Sequence, residues 1–380
     1  MSAHKSVISW YGGKAKMAKQ IINLMPRHKV YVEVFGGGGH IILNKKRVPL
    51  EVYNDVNSGL VSLFRTIRNK NHFKRFQELL QLTPYSREEF EYAKARWEHG
   101  LIDNSKEMED LKVRLENGEL SEEEFETLWS NLHDDRFKRM HYKIKEKFAE
   151  LETLKNKGLI TEEEYRARWD EIEEIRIEDQ IERARMFYVL CMQSFSAGLE
   201  SWKSDKSAGN GKLNPTLRRY LNGIDKNLAW AVERFRTIQI ENHSFEYILD
   251  RYDSPDTLFY LDPPYIHSTR GKADEEVLTK KDGETQEEFD ERIKNHRVKS
   301  DYHHELTDDM HVLLVDKLLK IKGKFIMSGY DHPIYDRLND GKNFFKVKLD
   351  DFAKACQATE KGGKKDIGEE FLWINFKPGE

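Results

Sequence analysis

Two cysteines in 380 residues, Cys191 and Cys356, are too few for a disulfide framework or a cysteine zinc site, and both read as small core residues. No apolar run approaches the ~18 residues that a membrane-spanning helix needs. No apolar signal segment follows Met1-Ser2-Ala3-His4-Lys5, so the chain reads as cytoplasmic. Positive charge is not in excess either. The 63 basic and 67 acidic side chains leave a net charge of −4, an unfavourable total for a binder of polyanions. The charge is uneven, however. Residues 101–180 carry 24 acidic against 14 basic side chains, a net of −10, so the remainder carries +6. One acidic segment masks a basic protein.

Only nine prolines are present, and two are adjacent, in Asp262-Pro263-Pro264-Tyr265. The apolar run Leu258-Phe259-Tyr260-Leu261 before them reads as a buried strand. Asp262 therefore stands just past a strand's carboxyl end, where open α/β sheets bind ligands. The prolines fix φ and cannot continue a helix, so the turn is stiff. A stiff turn that holds a carboxylate beside an aromatic face suits gripping a flat base by its exocyclic amine. An ordinary strand-ending turn is the plainer alternative for this motif taken alone.

Three further segments give that turn its context. Ser9-Trp10-Tyr11-Gly12-Gly13-Lys14 precedes Met17, Ile21, Ile22 and Leu24 at helical spacing. It offers a flat apolar face, a tight glycine turn and a cation near a helix start. Next, the strand-like Val30-Tyr31-Val32-Glu33-Val34-Phe35 runs into Gly36 to Gly39 and then the apolar His40-Ile41-Ile42-Leu43-Asn44. Strand, glycine turn and helix form the setting of a nucleotide-type cofactor loop, though neither a full dinucleotide fingerprint nor a Walker lysine is present. A second strand, Pro49 to Tyr53, ends in Asn54-Asp55-Val56-Asn57. Asp55 lies 19 residues after Gly36, close to the offset of an acid that binds ribose hydroxyls, and its competing role is a helix N-cap.

From about residue 71 to 234 the chain becomes helical and charged. Gly118 to Trp129 recurs as Gly158 to Trp169, with capping-box pairs Ser121/Glu124 and Thr161/Glu164. Phe125/Trp129 and Tyr165/Trp169 fall at i,i+4 on one helix face. The repeat reads as an acidic helical arm, a spacer or protein-contact device whose partner the sequence does not name. Residues 191–226 differ: Gln193, Phe195, Trp202, Asn210 and Asn214 lie among Lys203, Lys206, Lys212, Arg218, Arg219 and Lys226. Basic side chains place phosphates while amide and aromatic groups read or stack on bases, although a stretch of this kind taken alone is more often a solvated loop. After the proline turn, Thr269-Arg270 opens a polar stretch to about Lys299 that reads as a cover over the site. Thr307 then caps a helix bearing Met310, Leu313, Leu314 and Leu318, and strands are expected at 325–328, 344–349 and 371–376. His303 and His304 invite a metal reading, but adjacent histidines on a helix point in different directions, so no metal is expected there.

In order, Trp10 to Lys14, Phe35 to Gly39, Asn54 to Asn57 and Asp262 to Tyr265 resemble the four motifs of the Dam-type DNA adenine-N6 methyltransferases, the D12 class with a DPPY motif. Ser328-Gly329-Tyr330 and Leu372-Trp373-Ile374-Asn375 are similar to that family as well. The resemblance implies an α/β fold, a Rossmann-like S-adenosylmethionine-dependent methyltransferase sheet with an inserted, mostly helical target-recognition region. The catalytic domain would span 1–70 and 235–380. The recognition region would span 71–234, with the acidic insertion at about 97–182, which compact family members lack. S-adenosylmethionine would be the co-substrate, with no metal, and a flipped adenine in double-stranded DNA the acceptor. Trp10, Lys14, Asp55 and Asp262 would contact the co-substrate, with Phe35, Gly36 and Gly38 forming its loop. Asp262, Pro263, Pro264 and Tyr265 would be catalytic, Asp262 accepting hydrogen bonds from the amine and Tyr265 stacking on the base. Lys203, Lys212, Arg218, Arg219 and Arg270 would contact DNA, in a setting of DNA modification with or without a restriction partner. Four glycines stand where a bulkier residue often intervenes, which is expected to make the loop more flexible. A cytosine-N4 methyltransferase, a DNA-binding protein with an inactive core and a dinucleotide-dependent oxidoreductase remain as alternatives. The absence of a Pro-Cys nucleophile argues against chemistry at cytosine C5.

Overall fold

β-Branched and aromatic runs at both ends of the chain assemble one sheet. The computed structural model describes residues 6–99, 136–204, 213–266, 306–349 and 367–378, with 352–353 and scattered positions from 111 to 124. Phe125, Trp129, Lys206, Asn210, Lys212, the 269–299 stretch with Arg270, His303, His304 and Cys356 lie outside them. Strands β1 (Val30–Glu33), β2 (Leu50–Asn54), β3 (Ile238–Glu241), β4 (Thr257–Leu261), β5 (Lys324–Gly329), β6 (Phe345–Lys348) and β9 (Phe371–Ile374) form a seven-stranded sheet in the order β3-β2-β1-β4-β5-β9-β6. The two-residue β7 (Phe352–Ala353) and β8 (Ile367–Gly368) pair apart from it. All strands of the large sheet run parallel except β9, which is antiparallel to both β5 and β6.

Strand β1 pairs with β2 on one side and β4 on the other, with Val32 opposite both Val52 and Phe259. Strand order reverses there, and such a switch point opens a crevice beyond the strands' carboxyl ends. The glycine loop follows β1, Asn54-Asp55 ends β2 and Asp262 follows β4, so topology alone brings the three motifs to one edge.

The first compact unit comprises Met1–Ser6, Trp10–Asn57 and Thr237–Glu380. Helices α1 (Ala18–Leu24), α2 (His40–Asn44), α10 (Phe245–Tyr252) and α11 (Asp308–Leu318) belong to it. Val32, Val52, Phe259, Phe325, Met327 and Trp373 pack with Ile248, Leu249, Leu314 and Leu318 in its core. Each such side chain contributes roughly 1.5–3 kcal/mol by leaving water. Thr307 caps α11 by accepting a hydrogen bond from Met310 N. Leu313 of α11 is exposed, and the buried position beside Leu314 is taken by His311, whose Nδ1 lies 2.8 Å from Tyr335 Oη.

The second unit holds Val7–Ser9 and Ser58–Arg236 and is helical. Its elements are α3 (Ser58–Arg68), α4 (Lys70–Leu82), α5 (Arg87–His99), α6 (Arg136–Asn156), α7 (Glu162–Gln193), α8 (Pro215–Asn222) and α9 (Leu228–Phe235). The division falls at Asn57/Ser58, so α3, expected with the sheet, packs with the helices through its buried Leu60, Leu63, Phe64 and Ile67. The 32-residue α7 organises this unit: Met186 to Gln193 are buried, while most of its first half is solvated. Both capping boxes form, Ser121 with Glu124 and Thr161 with Glu164. Trp169 lies 4.3 Å from Phe148 of α6 and 5.9 Å from Tyr165, centroid to centroid, so the second repeat closes a helical hairpin. No described helix is long and apolar enough to cross a membrane.

Candidate active site

The cleft at the switch point encloses about 310 Å³ and is lined by Trp10, Lys14, Phe35 to Gly38, Asp55 and Asp262 to Pro264, among others. Six of the seven positions expected to hold a co-substrate come from β1, β2 and the N-terminal turn, and Asp262 comes from β4. All seven therefore line one cavity.

Gly36 and Gly37 are required by close approach. A Cβ on Gly36 would lie 2.2 Å from the Tyr53 ring, and one on Gly37 would lie 2.8 Å from Trp10 Nε1, at a φ of +47° that side chains disfavour. The loop is also tied. Gly37 N donates to Asp55 Oδ2 at 2.8 Å, Tyr53 Oη donates to Gly37 O at 2.8 Å, and Gly36 N donates to Asn54 O at 2.8 Å. These bonds oppose the extra flexibility expected of four glycines. Asp55 also accepts from Asn57 N through Oδ1, so the turn-capping role is real. Each carboxylate oxygen has a second lone pair, which leaves capacity for ligand hydroxyls.

Asp262 is held on one oxygen. Ser328 Oγ donates to Oδ1 at 2.8 Å, and Lys14 Nζ stands 2.8 Å from the same atom. Among the described residues no donor reaches Oδ2. Burial raises the Asp262 pKa above its ordinary value; Lys14 opposes that shift and the Glu370 charge adds to it. The stiff turn, the buried cation and the serine of β5 together aim one acceptor oxygen.

Tyr265 is placed differently from expectation. It is buried and does not line the cleft. Its hydroxyl accepts from Lys14 Nζ at 2.6 Å and donates to Glu370, while its ring meets Tyr330 edge-on at 4.7 Å. Of the residues expected on DNA, Lys203, Arg218 and Arg219 lie in the helical unit, with both arginines exposed on α8. Lys212 and Arg270 fall outside the described residues.

A family model for the D12 class N6 adenine-specific DNA methyltransferases matches residues 10–327 of this chain. The chain belongs to that class. Two curated relatives are similar over short segments. One, named DNA N-6-adenine-methyltransferase, from Escherichia phage P1, is 32% identical over 68 residues, 18% of this chain and 9% of the relative. The other, modification methylase StsI of Streptococcus sanguinis, is 30% identical over 76 residues, 20% of this chain and 12% of the relative. The matched segments thus span about a tenth of each relative's length. With the family and its mostly parallel seven-stranded sheet both in hand, the fold is the Rossmann-like methyltransferase fold.

Several site residues of this D12 chain were not singled out from sequence. Glu33 is a lone acid inside an apolar strand, which was the visible signal. Its Oε2 accepts from Tyr31 Oη at 2.9 Å and Ile42 N at 2.7 Å. His40 is buried against the loop, its ring 2.6 Å from a Cβ placed on Gly13 and 2.7 Å from one on Gly38. Burial, with Lys14 nearby, lowers its pKa to about 4, so it is a neutral clip between the two glycine motifs. Glu370, just ahead of β9, had no distinguishing signal beside Glu369.

Burial pushes the Glu33 carboxyl up to about 8. Between the ordinary 4.5 and that value the native state keeps a proton that the unfolded chain has lost. Stability therefore falls as pH rises through this window, by at most ~1.4 kcal/mol per pH unit, and levels off above it. Glu33→Gln is expected to remove that slope, so that the melting-temperature difference between variant and wild type grows from pH 5 to pH 8. A constant difference would show that Glu33 is ionised throughout.

Proposed function

We propose that this protein transfers a methyl group from S-adenosylmethionine to N6 of adenine in double-stranded DNA, taking the target base out of the stack. The observation that carries the reading is Asp262 in the cleft, its Oδ1 anchored by Lys14 and Ser328 and its Oδ2 left to accept from an amine. The residues fit the co-substrate on three counts. The cradle at Gly36 and Gly37 admits no side chain, Trp10 and Phe35 offer apolar faces, and the Asp55 and Asp262 carboxylates suit hydroxyls and a cationic sulfur. Bound there, S-adenosylmethionine supplies an electrophilic methyl group.

The protein's part follows from the poor nucleophilicity of the adenine amine, whose lone pair is delocalised into the ring. Asp262 Oδ2, aided by carbonyls of the proline turn, accepts the amine hydrogens and draws the nitrogen toward tetrahedral geometry. Lys14 and the rigid turn hold that oxygen still, and proximity of this kind supplies on the order of 7–11 kcal/mol. Extruding the base costs a few kcal/mol. Tyr265 offsets part of that cost once its ring is released from beneath Lys14 and stacks on the base. Lys203, Arg218 and Arg219, with Lys212 and Arg270, would place the phosphates. The streptococcal relative's name supports a restriction-modification setting, and a DNA substrate supports a cytoplasmic location.

The test is transfer of labelled methyl groups to unmethylated DNA, followed by nucleoside mass spectrometry. N6-methyladenine is the expected product; N4-methylcytosine would redirect the reading to the sister chemistry, and no methylated base from protein that binds S-adenosylmethionine would overturn it. Tyr265→Ala is expected to lower the single-turnover rate by roughly 5–150-fold, equivalent to ~1–3 kcal/mol of lost stacking. Tyr265→Phe keeps the ring and sheds only the hydroxyl contacts, so its rate is expected within about threefold of wild type. Equal losses in both variants would mean that the hydroxyl, not the ring, is what matters.

A further inference from the structure

The charge around Asp262 does not balance as a simple ion pair would. Among the described residues Lys14 Nζ, with three protons, has four acceptors at hand: Asp262 Oδ1 at 2.8 Å, Tyr265 Oη at 2.6 Å, Glu370 Oε1 at 3.1 Å and Gly12 O at 3.2 Å. Glu370 is 2% exposed, and it also receives the Tyr265 hydroxyl. A second carboxylate buried on the same ammonium carries a desolvation cost that one shared cation offsets only in part. Lys14 with Asp262 alone would be neutral, whereas among the described residues Lys14 with both acids carries one negative charge in excess. Among the described residues, the other groups facing the cluster are Tyr260 and Ser328 on β4 and β5, Glu33 with its partner Tyr31 on β1, and the neutral His40 of α2 beside Lys14. Glu33 keeps its proton at neutral pH, and the tyrosines are held neutral by burial.

We propose that Glu370 is a positioning residue of the methyl-transfer site: by drawing off part of the Lys14 ammonium it keeps Asp262 an effective acceptor and leaves the site anionic, matched to a sulfonium donor. This rests on the methyltransferase reading above. In the transfer the S–CH3 bond breaks with its electron pair remaining on sulfur, and the N6 lone pair forms the new N–CH3 bond. Positive charge thus passes from sulfur to N6, which then releases one proton through Asp262 to solvent. Without Glu370, Lys14 would neutralise Asp262 and oppose the charge on both the donor and the product nitrogen.

The test compares full-length wild type, Glu370→Gln and Glu370→Asp. Calorimetry measures affinity for S-adenosylmethionine, a cation at sulfur, and for S-adenosylhomocysteine, its neutral product. Glu370→Gln is expected to lose about tenfold in the ratio of the two affinities, through the cationic ligand alone. The acidic limb of its single-turnover rate is expected to move to lower pH, because a negative neighbour of Asp262 has been removed. Glu370→Asp keeps the charge one methylene farther from Lys14 and is expected to shift both readouts in the same direction by less. Should Glu370→Gln fail to fold, the shifts in Glu370→Asp decide. An unchanged ratio and limb overturn the proposal, as does equal weakening of both ligands with an unmoved limb, which marks a purely structural role. Wild type that binds neither ligand overturns the methyltransferase reading itself, and this proposal with it.

Discussion

Asp262→Ala is expected to slow methyl transfer by about 10²–10⁴-fold, the range for removing a positioned proton acceptor. The fold should survive the change. Lys14 would still meet Glu370 and Tyr265, so no buried charge is left alone. Asp262→Asn sharpens the test because it conserves shape. The amide presents two N–H groups and one oxygen where the carboxylate presents two acceptors. Lys14 and Ser328 both donate to Oδ1, so the amide oxygen is claimed by them and its NH2 faces the cleft. A donor would then meet a donor, and the loss should be as large as for alanine. Single-turnover kinetics with bound S-adenosylmethionine would measure it. Retention of more than about a tenth of the wild-type rate in Asp262→Asn would leave Asp262 as a structural residue.

Gly36→Ala is expected to produce the second large effect, on binding rather than on chemistry. The added methyl would stand 2.2 Å from the Tyr53 ring, and that ring cannot retreat freely. Tyr53 is fully buried, and its hydroxyl is bonded to Gly37 O. Either the loop moves off β2 or the ring moves into the core, at ~1–3 kcal/mol for overpacking. The loop bonds from Gly36 N to Asn54 O and from Gly37 N to Asp55 would be the first to break. S-adenosylmethionine affinity should fall about 10–100-fold, with a melting temperature several degrees lower. Calorimetric titration checks the first and thermal denaturation the second. Affinity within threefold of wild type would show that the loop does not form the co-substrate cradle.

Much of the architecture was legible in residue patterns because those patterns are local. The apolar runs at 30–35, 49–53, 258–261, 325–328 and 371–376 each carry enough β-branched and aromatic side chains to register as strands, and each forms one. β3 did not register. Ile238-Gln239-Ile240-Glu241 is a four-residue edge strand with alternating burial, too short for its period to stand out beside α9. The boundary at Asn57/Ser58 was also hidden, because α3 is amphipathic whichever unit its apolar face joins.

The site divides in the same way. Sequence alone determined the motifs, because a glycine turn after a strand, an acid 19 residues on and a stiff Asp-Pro-Pro turn each state their chemistry in a few adjacent residues. Sequence also determined family membership, since a family is read from the order of such motifs. Only tertiary structure decided that Tyr265 turns its hydroxyl inward to Lys14 and Glu370, that His40 clips two glycine motifs together, and that Ser328 and Lys14 share one oxygen of Asp262. Those partners are 105 residues apart for Tyr265 and Glu370 and 251 for Lys14 and Tyr265. No local pattern encodes contacts at such separations. They arise because the strand order of a parallel sheet, settled by packing, carries the carboxyl ends of β1, β4 and β5 to a common edge.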